Sequence, residues 1–204
     1  MSMIKVYGTS HVSKESFDVI DEAFRELDPD VIALELDSIR LEAMLNDEEN
    51  RGDEPIFMSI LRKFQNYIGK KTGVMPGTEM LYAYEKARDE EKDVLLIDQD
   101  IRVTVQKLMR TRRKERVKAV LGLIAGTVLP KGGFDISKIP EDKEIDFMLQ
   151  QFRERFPGIY DAIVEDRNDY MIETLRRYQR DNPEHDIAVF VGAAHKRELQ
   201  CDLE

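Results

Sequence analysis

Cysteine is almost absent. Cys201 is the only one in 204 residues, which excludes an internal disulfide framework and fits a reducing compartment. Tryptophan is missing, and histidine occurs three times, at His11, His185 and His195. No run approaches the ~20 apolar residues needed to span a bilayer. The first residues lead straight into an apolar stretch, so no secretory leader is expected and a cytoplasmic location is. Positive charge is in deficit, with 31 Lys and Arg against 41 Asp and Glu and a net charge of -10. That balance argues against general affinity for nucleic acid or an anionic membrane. The nucleophile-elbow pattern G-x-S-x-G is also missing, which removes support for a serine hydrolase.

What is present begins with apolar content of 42%, enough for a real core, and charged content of 35%, which implies a highly charged surface. The length suits a single domain, with a helical excursion expected roughly at 101–140. Met3 to His11 reads M-I-K-V-Y-G-T-S-H and Ile187 to His195 reads I-A-V-F-V-G-A-A-H. Both are apolar strand-like runs that reach a glycine, Gly8 or Gly192, with a histidine three residues later.

Strands are expected at Ile4 and Val6 with their neighbours, at Val31 to Leu36, at Val94 to Ile97 and at Ile187 to Val191. Phe17, Ile20, Phe24 and Leu27 recur at helical spacing, with Ser13 as the expected cap. Further helices are expected at Ser38 to Leu45, Pro55 to Ile68, Thr78 to Glu91, Glu141 to Phe156 and Gly158 to Arg180, with one long helix at Ile101 to Ile124. Strands alternating with helices predict an α/β fold with a mostly parallel central sheet flanked by helices. Such sheets bind ligands outside the carboxyl ends of their strands. The unusual polar residues cluster there: His11, Glu35 with Asp37 and Arg40, Asp98 with Asp100, and His195.

Each signal has a plain structural alternative. Glu35 interrupts an apolar strand and must be paired or coordinate something. It is either a structural ion pair with Arg40, or a metal ligand or general base that Arg40 orients. Arg167, within Glu165-Asp166-Arg167-Asn168, shares a helix face with Ile163, Tyr170 and Met171 and needs a buried acceptor. Glu35, Asp98, Asp100 or an anionic substrate could supply it. Asp98 and Asp100 equally suit a helix start. His185 reads as solvated. The basic run Arg110 to Lys118, followed by apolar Ala119 to Leu129, predicts a surface that packs on another subunit or an acidic partner.

The segments G-T-S-H-V-S-K-E-S, P-D-V-I-A-L-E-L-D-S-I-R, I-D-Q-D-I-R-V-T, V-E-D-R-N-D-Y-M and V-G-A-A-H resemble, in order and over nearly the whole chain, the TraB/PrgY family. That family is similar to the Tiki metalloproteases, the erythromycin esterases and the haem-binding ChaN proteins. The resemblance implies an erythromycin-esterase/ChaN-like fold in which both G-x-x-H motifs and the strand-end glutamate line one cleft. His11, Glu35, Arg40, Arg167 and His195 match its site motifs, with Gly8, Asp37, Asp98, Asp100, Glu165 and Gly192 in support.

The expected function is a metal-dependent hydrolase, a peptidase by analogy with the Tiki type. His11, Glu35 and His195 would hold a divalent ion, Zn or Mn. The alternatives are a metal-independent esterase-like hydrolase and a non-enzymatic protein that sequesters a peptide or haem-like ligand. The expected partners are a peptide or small-molecule substrate and further copies of the chain, with no nucleic acid. Relatives of the PrgY type continue into C-terminal membrane helices that this sequence does not contain, so membrane association is expected only where the native chain continues.

Overall fold

Val, Ile and Leu runs that are apolar at every position can be satisfied only by burial on both faces, and the two central strands, Val31–Leu34 and Ile187–Gly192, are buried in this way. A computed structural model describes residues 3–9, 15–46, 77–124 and 142–204. His11, the Ser13 cap, the helix expected at Pro55 to Ile68, the loop up to Pro76 and the stretch from Ala125 through Lys131-Gly132-Gly133 lie outside the described residues.

Four strands, β1 (Ile4–Thr9), β2 (Val31–Leu34), β3 (Asp93–Leu96) and β4 (Ile187–Gly192), form one sheet. Their order is β1-β4-β2-β3 and every pairing is parallel. In the central register Val31 faces Ile187 and Leu34 faces Phe190. The fourth strand in sequence is thus inserted between the first two, which brings the chain's two terminal strands together.

Strand periodicity divides the core. Ile32, Leu34, Ala188 and Phe190 point to one face, where they meet Ile20, Ala23 and Phe24 of α1 (Glu15–Leu27) and Met80, Ala83 and Ala87 of α3 (Thr78–Asp89). Val31, Ala33, Ile187, Val189 and Val191 point the other way. They meet Met171, Ile172 and Leu175 of α8 (Asp166–Asp181) and Leu199 of α9 (Ala193–Leu203). The result is a three-layer arrangement. The outer edge of β1 is covered in part, because Glu204 Oε1 accepts from the Val6 N–H at 2.7 Å and Gln200 Nε2 donates to the Val6 carbonyl at 3.4 Å. Such cover removes a template for strand addition.

Several boundaries differ from the sequence reading. β1 runs through Gly8 to Thr9, so that glycine does not end its strand. A Cβ at Gly8 would lie 2.8 Å from Lys196 Cδ, so the position admits the first turns of α9 against β1. α2 (Ser38–Leu45) begins where expected, capped by Asp37, whose Oδ1 accepts from the N–H groups of Ile39 and Arg40. The long helix expected at Ile101 to Ile124 is two helices, α4 (Ile101–Arg110) and α5 (Arg113–Ile124), broken at Thr111-Arg112. Thr111 Oγ1 donates to the Leu108 carbonyl at 2.7 Å, a local bond that competes with helix continuation.

After α6 (Asp142–Arg155), the helix expected from Gly158 opens as α7 (Pro157–Tyr160). It passes through a π-helical turn at Asp161–Glu165 and continues as α8. Leu108, Ala119, Phe156, Ile159 and Ala162 form a small satellite core beneath this region. Among the described residues no helix is long and apolar enough to cross a membrane.

Candidate functional site

The carboxyl ends of β2 and β4 lie side by side, and the chain just beyond them carries the charged residues. Glu35 follows β2 by one residue, and its N–H still bonds the Phe190 carbonyl of β4 at 3.1 Å. Asp98 follows β3, tied to the same ladder through its N–H to the Leu36 carbonyl at 3.2 Å. The sheet therefore holds both carboxylates on one rim, where Glu35 is 2% and Asp98 6% exposed.

Two like charges buried in this way require a cation, and Arg167 supplies it. Its Nη2 donates to Glu35 Oε1 and, at 2.7 Å, to Asp98 Oδ2, while Nε donates to Asp98 Oδ1 at 2.9 Å. Nη1 donates to the Ile163 carbonyl at 3.3 Å. The π-helical turn, in which the Asp166 N–H bonds back to the Asp161 carbonyl, sits at the base of this arginine; such turns recur at functional sites. Burial works against the Arg167 charge, but the carboxylates of Glu35 and Asp98 outweigh it and hold the guanidinium charged more firmly than an ordinary arginine.

The second oxygen of Glu35, Oε2, accepts from the Gly192 N–H at 2.5 Å. Arg40 completes the group: its Nη1 donates to Asp98 Oδ2 at 2.9 Å and to the Glu35 carbonyl at 3.4 Å. The Glu35–Arg40 side-chain pair considered from sequence is thus replaced by Glu35–Arg167 and Asp98–Arg40. Of the two arginines Arg40 is the outer one, with its side chain 28% exposed against 15% for Arg167.

His195 lies in the first turn of α9 and is 4% exposed. Its Nε2 is 3.3 Å from Arg167 Nη1 and 3.5 Å from Glu35 Oε1. Its Nδ1 is 2.6 Å from Asn168 Oδ1, and Asn168 Nδ2 donates to Glu198 Oε2 at 2.6 Å. A glutamate carboxylate accepts, so the Asn168 amide nitrogen must face it and the amide oxygen must face His195. The proton is therefore assigned to Nδ1, which leaves the Nε2 lone pair toward the arginine, a group that can only donate. Burial pushes the Glu198 carboxyl above the usual glutamate range, partly offset by the Asn168 bond.

The structure thus brings Glu35, Arg40, Asp98, Arg167, Gly192 and His195 together. Asp37 is a helix cap whose Oδ2 is buried without a hydrogen-bond partner among the described residues. Asp100 caps α4 and pairs with Arg102, and Glu165 pairs with Arg153 at 3.3 Å, so neither joins the cluster. His185 is half-buried rather than solvated, with Nδ1 3.0 Å from the Tyr178 hydroxyl. Asn168 and Glu198 are site residues that the sequence reading missed. The signals were available: Asn168 adjoins Arg167, and Glu198 lies three positions after His195 on one helix.

Among the described residues no group of three or more His, Cys, Asp or Glu side chains is placed to hold a metal ion. Arg167 occupies the position between Glu35, Asp98 and His195 that a cation would take, so these donors do not fit a divalent ion while the guanidinium stays there.

Comparison with known proteins supplies the family. The chain is 29% identical to an uncharacterized protein of Methanocaldococcus jannaschii over 94% of its own length and 51% of that protein's. It is 25% identical to the TraB domain-containing protein of Bos taurus and 23% identical to that of Homo sapiens, in each case over 88% of this chain and 53% of the relative. The chain thus spans about half the length of the curated relatives it matches. The model of the TraB/PrgY/gumN family matches residues 2–198, and the chain belongs to that family.

Proposed function

We propose that the strand-end cluster is the acid–base centre of a hydrolase acting on a peptide or small ester or amide, with His195 as the base. The observation that carries this reading is the oriented imidazole. Asn168 and Glu198 orient the ring with its proton on Nδ1, which makes Nε2 the basic atom, 3.3 Å from Arg167 Nη1. Orientation of one ring nitrogen by a hydrogen-bonded partner is how histidine bases are held ready.

In this reading Arg167 Nη1, 3.3 Å from Nε2 in the resting state, gives way as substrate and water enter. Nε2 then takes a proton from the attacking water and returns it to the leaving group. The imidazolium formed in between lies 3.5 Å from Glu35, which stabilises it. Arg167 donates to Glu35, Asp98, the Ile163 carbonyl and, in the resting state, His195 Nε2 and acts as a positioning residue. Arg40, the outer arginine, uses one nitrogen on Asp98 and the Glu35 carbonyl. Its remaining N–H groups are the donors suited to an oxyanion or a carboxylate of the substrate.

The expected Zn or Mn ion is a second proposal. It is favoured by the closeness of His195 and Glu35, two of the three ligands that the resemblance implies; the third, His11, lies outside the described residues. For that ion to bind, Arg167 must leave the carboxylates.

Purified chain, stripped with chelator, is assayed against a peptide mixture and a chromogenic ester. Turnover that survives chelation and falls by about 10²–10⁴ in His195→Ala supports the base. Turnover that requires added Zn²⁺ or Mn²⁺ supports the metal reading. Stoichiometric ligand retention without turnover would overturn both in favour of a sequestering protein.

A further inference from the structure

We propose that the corner between α4 and α5 is a docking surface for an anionic lipid bilayer, separate from the strand-end cluster. The starting observation is uncompensated charge. The chain is acidic overall, at -10, yet Arg110, Arg112, Arg113 and Lys114 follow one another at this corner and are all exposed. Among the described residues none of the four makes an ion pair. Their neighbours at the two ends of the run are engaged, Lys107 with Asp166 at 2.8 Å and Lys118 with the Arg155 carbonyl at 3.5 Å.

The run's one acid does not offset them. Glu115 turns inward, where its Oε1 accepts from the Ile159 N–H at 2.8 Å. Its charge is spent on the start of α7 and does not pair with the four exposed cations.

The apolar residues beside these cations decide the kind of partner. Met109 is 37%, Val117 50% and Leu121 60% exposed. Exposed aliphatic side chains set among cations offer an anionic bilayer two kinds of contact, the cations to its headgroups and the aliphatics to the acyl boundary. A nucleic acid would gain from the charge but not from the aliphatics, and α4 and α5 contain no aromatic residue on which a base could stack. An acidic protein would require fixed pairing geometry, whereas among the described residues no ion pair orients these four long side chains. A fluid layer of headgroups needs no such match. Because the rest of the chain carries the acidic excess, approach to a negative surface is favoured only with this corner leading, and screening over about 8–10 Å leaves the distant acids little effect.

The test is co-sedimentation of the 204-residue chain with phosphatidylcholine vesicles, with and without phosphatidylserine. Binding is expected only where phosphatidylserine is present and is expected to weaken as salt is raised. The triple variant Arg112→Glu, Arg113→Glu, Lys114→Glu should lower partitioning by at least about 100-fold, with its circular dichroism unchanged. Leu121→Ala should lower it by roughly 5- to 30-fold. Charge reversal at Arg176, which pairs with Asp202 at 2.7 Å on α8, should leave it unaltered. Four results would overturn the proposal: no preference for phosphatidylserine, binding that survives the triple variant, equal competition by duplex DNA of matched charge, or a stable dimer that buries residues 112–114.

Discussion

Replacing Arg167 by alanine tests the electrostatic logic of the site. The side chain is 15% exposed, and the carboxylates it bridges, on Glu35 and Asp98, are 2% and 3% exposed. Without it two buried carboxylates face each other, and of the two arginines only Arg40, on Asp98 from the outer side, remains beside the Gln99 and Gly192 N–H groups. Breaking a buried pair in this way costs roughly 3–5 kcal/mol, because the charges left behind cannot regain water. For a domain of this size each kcal/mol lowers Tm by about 2–4 °C, so a fall of about 6–20 °C is expected. Thermal and urea unfolding read it directly. Arg167→Lys should recover only part of the loss, since an ammonium cannot span Glu35 Oε1 and both oxygens of Asp98 as the guanidinium does. A Tm within about 2 °C of the parent for Arg167→Ala would correspond to less than about 1 kcal/mol. It would show that the carboxylates are not held as described.

Two further predictions concern the supports of the site and of the basic corner. Glu198 has its carboxyl raised in the folded state by burial, so the folded chain binds that proton more tightly than the unfolded chain. Its contribution to stability is therefore fully present below the ordinary glutamate range and is lost as pH rises through the higher folded value. Glu198→Gln should flatten that part of the Tm-against-pH curve, and curves parallel to the parent's would refute the assignment. Glu115→Ala removes the acceptor for the Ile159 N–H and should cost about 1 kcal/mol, comparable to loss of a helix cap, read as a shift of the urea midpoint; no shift would mean that water replaces it.

The alternation of strands and helices was legible because short runs apolar at every position suit strands buried on both faces: Ile32, Leu34 and Phe190 go to one face, Val31, Ala33 and Val189 to the other. The rim location of Glu35, Asp98 and His195 followed from the general behaviour of parallel sheets. The pairing among them did not. Arg40 is five residues from Glu35, but the cap at Asp37 starts α2 and carries Arg40 to Asp98, while Arg167, remote in sequence, takes Glu35. Sequence distance does not encode which cation reaches which carboxylate. Asn168 and Glu198 were overlooked for a related reason: their role exists only once α8 and α9 pack against each other. The break at Thr111-Arg112 was hidden because the flanking residues are good helix formers.

The central claim is that His195 is held as a neutral imidazole with its proton on Nδ1 and the Nε2 lone pair facing Arg167. A long-range ¹H–¹⁵N correlation spectrum of the chelator-treated chain at neutral pH, with the ring assigned by loss of its signals in His195→Gln, reads this directly. The structure predicts a protonated, pyrrole-type Nδ1 and a pyridine-type Nε2, with the pattern lost in Asn168→Leu. A pyridine-type Nδ1, or an imidazole that stays doubly protonated with no basic Nε2, would contradict it.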